Sequence, residues 1–96
     1  MNKIIEMRER IGQRAIAFIQ LIEIAETLNK KYPCTKLERT TKIFSPCFSK
    51  EKGEVELIAG DYYTGQNGSI VLYTLEAAEE LKKKHSDLIK VYFGIN

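Results

Sequence analysis

The first third of the chain predicts one helix whose apolar surface is larger than a small sheet can cover. Over residues 3–31 apolar side chains recur at helical spacing along one face, namely Ile4, Met7, Ile11, Phe18, Ile22 and Ala25. Within residues 15–28 apolar side chains point in nearly every direction, which leaves only a narrow polar strip. A helix that is apolar almost all round is buried on more than one side. Pro33 ends this helix, because proline disfavours a helical conformation in the residue before it.

The second apolar face of this helix needs a cover, and a chain of 96 residues has little else to supply one. A second copy of the same helix would cover it, since closed twofold dimers are the commonest oligomers. We therefore expect a homodimer built on residues 3–31, with self-association carried by Ile4, Met7, Ile11, Phe18 and Ile22. The alternative is that a second short helix and a curled sheet cover this face within one chain.

After Pro33 the pattern changes from helical to strand-like. Residues 35–44 are rich in threonine and end in two apolar residues, which suits an edge strand that Ser-Pro-Cys at 45–47 interrupts. A polar connection follows at 49–53. Residues 54–59 alternate, with Val55, Leu57 and Ala59 on one face and glutamates on the other. Asn-Gly at 67–68 is a strong hairpin signal, and its partner strand is predicted at residues 69–73.

The C-terminal quarter predicts a short helix and a last strand. Thr74 is a suitable N-cap, and Leu75, Ala78 and Leu81 define the apolar face of the helix. Ser-Asp at 86–87 is expected to break it, after which residues 89–95 alternate as in a strand. The predicted fold is a single α+β domain over residues 1–96. A long helix at 3–31 precedes a small, mostly antiparallel sheet with one crossover helix at 34–96, in the order α-β-β-β-α-β.

The residues that usually carry chemistry are few and do not stand at the spacings that chemistry needs. The two cysteines, Cys34 and Cys47, and the one histidine, His85, match no zinc-ligand pattern. No motif places a cysteine beside the histidine as an activated nucleophile. Both cysteines are expected to be reduced, small and buried. The sequence therefore predicts no catalytic residue, no metal site and no cofactor.

Aromatic residues beside the predicted hairpin mark the best candidate for a partner-binding surface. Adjacent strand residues face opposite sides, so one of two neighbouring tyrosines is expected to be exposed. Tyrosines bury a large area at little entropic cost, which suits a binding surface. The candidate partner-binding residues are Asp61, Tyr62, Tyr63, Gln66 and Asn67.

Taken together, these features favour a small non-enzymatic protein that binds another protein as a homodimer, in an accessory, regulatory or inhibitor role. Net charge is +2, from 15 basic and 13 acidic residues, which is ordinary for a soluble domain. A nucleic-acid-binding module is the alternative, and its contacts would come from Arg8, Arg10, Arg14, Lys36, Arg39 and Lys42. A third hypothesis is a small-molecule site between helix and sheet.

The expected location is the cytoplasm. The longest nearly apolar stretch, residues 16–28, is too short and too polar to span a bilayer, so no membrane partner is expected. The N-terminus alternates apolar and charged residues and lacks the apolar core of a signal peptide.

Overall fold

The chain folds into two helices and one two-stranded antiparallel sheet. The computed structural model describes residues 3–35, 37–38, 41–61 and 70–95. Its elements are α1 (Lys3–Lys31), β1 (Lys42–Ser49), β2 (Glu54–Asp61) and α2 (Leu75–Tyr92). The α+β class and the long first helix are confirmed. The order α-β-β-β-α-β is wrong, because the described residues form two strands and α2 is not followed by another.

Helix α2 is the central element of the fold. It packs against α1 on one side and against both strands on the other. The two helices run antiparallel: Lys31 at the end of α1 meets Glu80 near the start of α2, and Arg14 meets Tyr92 at its end. The buried side of α1 consists of residues spaced at one helical face, Ala17, Leu21, Ala25 and Leu28. Part of the apolar surface of α1 is therefore covered within the chain.

Strand β1 lies later in the sequence than predicted. The segment before it instead makes a turn, in which the Thr41 hydroxyl accepts from the Glu38 N–H at 2.8 Å and the Thr41 N–H donates to the Glu38 carbonyl at 3.0 Å. Such local bonds compete with strand pairing. The strand runs straight through Pro46, which pairs with Leu57 in β2. The predicted interruption at 45–47 is wrong, and of the described residues in the strand predicted at 35–44 only 42–44 belong to β1.

Pro46 is tolerated because its missing N–H faces away from β2. Phe44 and Leu72 exchange two backbone hydrogen bonds of 2.8 Å, so the even-numbered residues of β1 direct their backbone groups away from β2. Within the described residues this contact is an isolated bridge that does not extend to Pro46. Proline in a sheet is confined to such open positions. The strand predicted at 69–73 is thus reduced to one bridge, and it lies beside β1. The predicted turn at 67–68 lies outside the described residues.

The predicted strand at 89–95 is instead the last part of α2 and its C-terminal cap. The Thr74 N-cap is confirmed, because its hydroxyl accepts from the Ala77 N–H at 3.2 Å. The expected break at 86–87 is only a kink at His85, with φ −127° and ψ 23°. The helix ends at Tyr92, and Gly94, just beyond the C-cap Phe93, has a φ of 74°, which suits glycine and allows the Ile95 N–H to donate to the Lys90 carbonyl. The predicted apolar face of α2 is confirmed at Ala78 and Leu81, which are buried, whereas Leu75 is exposed.

The side chain of Asn29 fastens the segment before α2 to the end of α1. Its amide donates to the Val71 carbonyl at 2.9 Å, and its carbonyl accepts from the Tyr73 N–H at 3.1 Å. One side chain therefore pairs with an extended backbone as a neighbouring strand would.

Replacing Asn29 with leucine should lower the free energy of unfolding by about 2 kcal/mol, because two partly buried backbone groups lose their partners. Gln20→Leu removes an exposed amide from the same helix and should change stability by less than about 0.5 kcal/mol. Urea denaturation of both variants measures the difference. Equal effects would show that the bonds of Asn29 contribute nothing beyond its helical position.

Glu80 forms the second link between the two helices. Hydrogen bonds from Lys31 and from the Tyr32 hydroxyl, each 2.8 Å long, lower the pKa of Glu80 from 4.5 to about 2. Since the pKa is lower in the folded state, this contribution to stability is present above pH 4.5 and is lost as pH falls toward 2.

We expect the urea midpoint of Glu80→Gln to fall less steeply than that of the parent chain between pH 4.5 and pH 2. At neutral pH the variant should be the less stable of the two. Glu79→Gln, at the exposed neighbouring position, should retain the acid dependence of the parent. If Glu80→Gln retained it as well, the link would not contribute to acid sensitivity.

Candidate functional site

The N-terminal half of α1 exposes large apolar side chains along its whole length. Among the described residues of α1, none before Ala17 is buried. Six large apolar side chains on this helix are half or more exposed: Ile4, Ile5, Met7, Ile11, Ile16 and Ile19. Single exposed apolar residues are ordinary on protein surfaces, but a continuous patch of this kind marks an interaction surface. We refer to these six residues as the exposed face of α1.

Four of these six residues, Ile4, Ile5, Met7 and Ile11, lie where α1 extends beyond the helix that packs against it, whereas Ile16 and Ile19 lie beside α2 on the side of α1 that faces away from it. Helix α2 ends where Arg14 donates to the Tyr92 carbonyl at 2.9 Å. A basic side chain at this position satisfies a free carbonyl and complements the helix dipole. Residues 3–13 continue past this point for about 16 Å. The longest dimension of the chain is accordingly 53 Å, against 27 and 25 Å for the other two.

Cavities lie along the side of α1 that carries the predicted dimerisation residues. Met7 and Ile11 line one of about 300 Å³, which is closed on its far side by the end of α2. Ile11 and Phe18 line a second of about 320 Å³, beside Tyr92. A third cavity of about 560 Å³ is lined by Ile22 and by residues of the 71–73 segment and the 33–37 loop. The predicted apolar face of α1 thus forms one wall of a groove that is divided into these cavities. We call this face the stripe; its members are Ile4, Met7, Ile11, Phe18, Ile22 and Ala25.

The five predicted dimerisation residues fall into two groups. Ile4, Met7 and Ile11 belong to the exposed face. Phe18 and Ile22 are half-buried and pack against the core, and the Phe18 ring stacks on Tyr92 with centroids 5.4 Å apart. The structure therefore brings all five to one side of α1, with the exposed members at its N-terminal end.

Three residues of the exposed face were not among the predicted dimerisation residues. Ile5, Ile16 and Ile19 stand further round the helix than the predicted stripe, on the side away from α2. Their spacing carries a signal that could have found them, because Ile5, Gly12, Ile16 and Ile19 recur at intervals of seven, four and three.

The predicted partner-binding residues fall almost entirely outside the described part of the chain. Asp61 is the last residue of β2 and stands opposite Lys42 in the sheet register. Tyr62, Tyr63, Gln66 and Asn67 lie outside the described residues. The partner-binding surface at 61–67 stays a prediction.

The basic residues of the nucleic-acid hypothesis do not share one face in the described structure. Arg8 and Arg10 are two positions apart on α1 and point about 200° away from each other. Arg14 lies on the Arg10 side and caps α2. Lys42 is exposed at the start of β1, while Lys36 and Arg39 lie outside the described residues. A single basic stripe, which phosphate binding favours, is not formed by the described members of this set.

The structure also locates the two cysteines and the space that was considered for a small-molecule site. Cys34 and Cys47 form no disulfide and are half-buried, so they are less enclosed than predicted. Within the residues that the structure describes, no three metal-ligating side chains form a group that could hold an ion. The space between α1 and the sheet, where a small-molecule site was considered, is occupied by α2.

Comparison with known proteins adds no relative to this picture. No protein-family model, curated protein or solved structure gives a significant match to the chain. Neither described helix contains a stretch that is both long enough and apolar enough to cross a bilayer.

Proposed function

We propose that this chain is a small non-enzymatic interaction protein that acts as a homodimer through the exposed face of α1. The observation that carries the proposal is that six large apolar side chains of α1 are each half or more exposed, four of them on the length of helix that α2 does not reach. Exposed apolar surface of this extent is costly in water and gains free energy when another surface buries it.

The area of the exposed face supports a second copy as its occupant. Six such side chains expose an area on the order of 600 Å², which is at the upper end for the largest patch of a monomer. Two copies that cover all six side chains in each chain would bury about 1,200 Å² in total, the lower edge of the range for stable, specific interfaces. A twofold dimer uses the same patch twice, so Ile4, Met7 and Ile11 of both copies are covered at once, together with the half-buried Phe18 and Ile22 on the same side of α1.

The dimer leaves the rest of the molecule free for a second, different contact. In this proposal the 61–67 segment, with its two tyrosines, binds another protein, and the role is accessory, regulatory or inhibitory. The two cysteines form no disulfide, which is consistent with the reducing cytoplasm, where we propose that the protein acts.

Sedimentation equilibrium tests self-association directly. The proposal predicts a mass twice that of the single chain, which is 11.0 kDa. The doubled mass should persist when salt is raised, because apolar contacts are not screened. The mass of a single chain at concentrations up to about 100 µM, the weak end of specific association, would contradict the proposal.

A salt titration distinguishes the nucleic-acid alternative. Binding of a short mixed-sequence duplex that weakens steeply with added salt would favour contacts from the basic residues instead. The proposal predicts no such binding at physiological salt.

A further inference from the structure

The apolar stripe of α1 reads the same in both directions along the helix. Its members stand at positions 4, 7, 11, 18, 22 and 25, with intervals of three, four, seven, four and three. The centre of this pattern lies between Arg14 and Ala15. Two identical helices that pack antiparallel therefore place every member of the stripe opposite another member, which a twofold interface requires.

In the antiparallel alignment the exposed side chains of one copy also lie opposite the cavities of the other. It sets Ile4 opposite the partner's Ala25, Met7 opposite the partner's Ile22, and Ile11 opposite the partner's Phe18. Ile4, Met7 and Ile11 are each more than half exposed. Phe18, Ile22 and Ala25 line the cavities of about 320 and 560 Å³ along the stripe. The uncovered end of each helix thus lies over the cavities of the other.

The charges on the Arg8 flank of the stripe favour an antiparallel pair. Arg8 stands on one flank, while Lys3, Arg10 and Arg14 stand on the other. A parallel twofold pair sets Arg8 against the basic flank of the partner. An antiparallel pair sets each flank against its own copy, so Arg8 shares a side of the interface with the partner's Glu26, because Glu26 is five helical turns from Arg8 on the same flank. On the other flank Arg14 meets its own copy, and its guanidinium donates to the Tyr92 carbonyl of its own chain.

We infer that two copies of this chain pair their α1 helices antiparallel, with the twofold axis beside Ala15. The inference rests on the proposed function, because it names the geometry of the self-association proposed there. Ala15 is exposed, and its side chain is a single methyl group. A small residue beside the axis allows the two helices to approach closely.

Disulfide trapping tests the direction of the helices. In a chain with Cys34→Ser and Cys47→Ser, Ala15→Cys places two thiols across the axis, within reach of a disulfide. Ile4→Cys places them about 32 Å apart in the antiparallel pair, since about 21 residues of helix separate the two positions. Gln20→Cys, at an exposed position on the opposite side of α1, is the matched control. Each variant is treated with the oxidant diamide, and covalent dimer is measured on a non-reducing gel.

The antiparallel pair predicts covalent dimer from Ala15→Cys on the order of tenfold above that from Ile4→Cys or Gln20→Cys. Equal trapping at Ala15→Cys and Ile4→Cys would show a parallel pair and overturn the inference while leaving the homodimer intact. Failure at Ala15→Cys, in a variant whose reduced form still has the mass of two chains, would place the interface elsewhere. If the reduced double-serine chain had the mass of a single chain, the proposed function and the inference would both be overturned.

Discussion

Replacing Ile11 with aspartate should convert the homodimer into a monomer that remains folded. Ile11 is 62% exposed in one chain, so a charge there is well hydrated when the chain is alone. In the paired state the same carboxylate would be buried against an apolar surface without a partner, which costs several kcal/mol. We expect the dissociation constant to rise at least about 100-fold, equivalent to about 2.7 kcal/mol.

The matched control for this variant is Gln20→Asp. It introduces the same charge at an exposed position of the same helix, on the side of α1 that faces away from the stripe. Its mass should stay that of the parent chain. Circular dichroism of both variants should show the same helical content, because neither position is buried. A dimer that survives Ile11→Asp unchanged would remove the exposed face from the interface.

Truncating Leu21 to alanine should produce the largest loss of stability on α1. Leu21 is completely buried at the centre of the contact between α1 and α2. Removing its side-chain carbons leaves a cavity that the packed neighbours cannot fill, and the free energy of unfolding should fall by about 3 kcal/mol. For a domain of this size that is a large fraction of the total.

Ile16→Ala is the control for Leu21→Ala. It removes a similar volume from the same helix, but Ile16 is 59% exposed, so its loss should cost less than about 1 kcal/mol in a single chain. Both variants are best measured by urea denaturation with Ile11→Asp also present, because self-association would otherwise add to the apparent stability. Equal losses at Leu21 and Ile16 would contradict the described position of α2.

Helix α1 could be predicted to both ends because every local signal agreed. Its periodic apolar residues run without interruption from Ile4 to Leu28, and Pro33 follows directly. The second helix was predicted too short because its local signals disagreed. Residues 89–95 alternate like a strand, yet Leu81, Ile89 and Tyr92 also fit a helical face. Burial of Leu81 and Ile89 in one core decides between the two patterns, and that is a tertiary effect.

The strand at Pro46 could not be predicted from local sequence either. Proline normally ends a strand, but only the pairing of Phe44 with Leu72 shows that position 46 directs its missing N–H away from β2. Sequence periodicity does not contain this information, because it depends on which partner lies on each side.

The stripe of the candidate site was visible in the sequence, whereas its division into covered and exposed halves was not. The spacing of Ile4, Met7 and Ile11 places them on one side of a helix whatever surrounds it. Their exposure depends on where α2 stops, which is set by the cap at Gly94 and its contact with Arg14. The predicted length of α1 did not show where along it α2 stops.

Amide hydrogen exchange of residues 3–16, measured across protein concentration, tests most directly whether this part of α1 is the interface. The end of a lone helix frays, so its amides exchange rapidly unless another surface packs on them. The account predicts slow exchange at high concentration that becomes fast on dilution, while Leu21 and its neighbours stay protected throughout. Exchange in residues 3–16 that is the same at every concentration would contradict it.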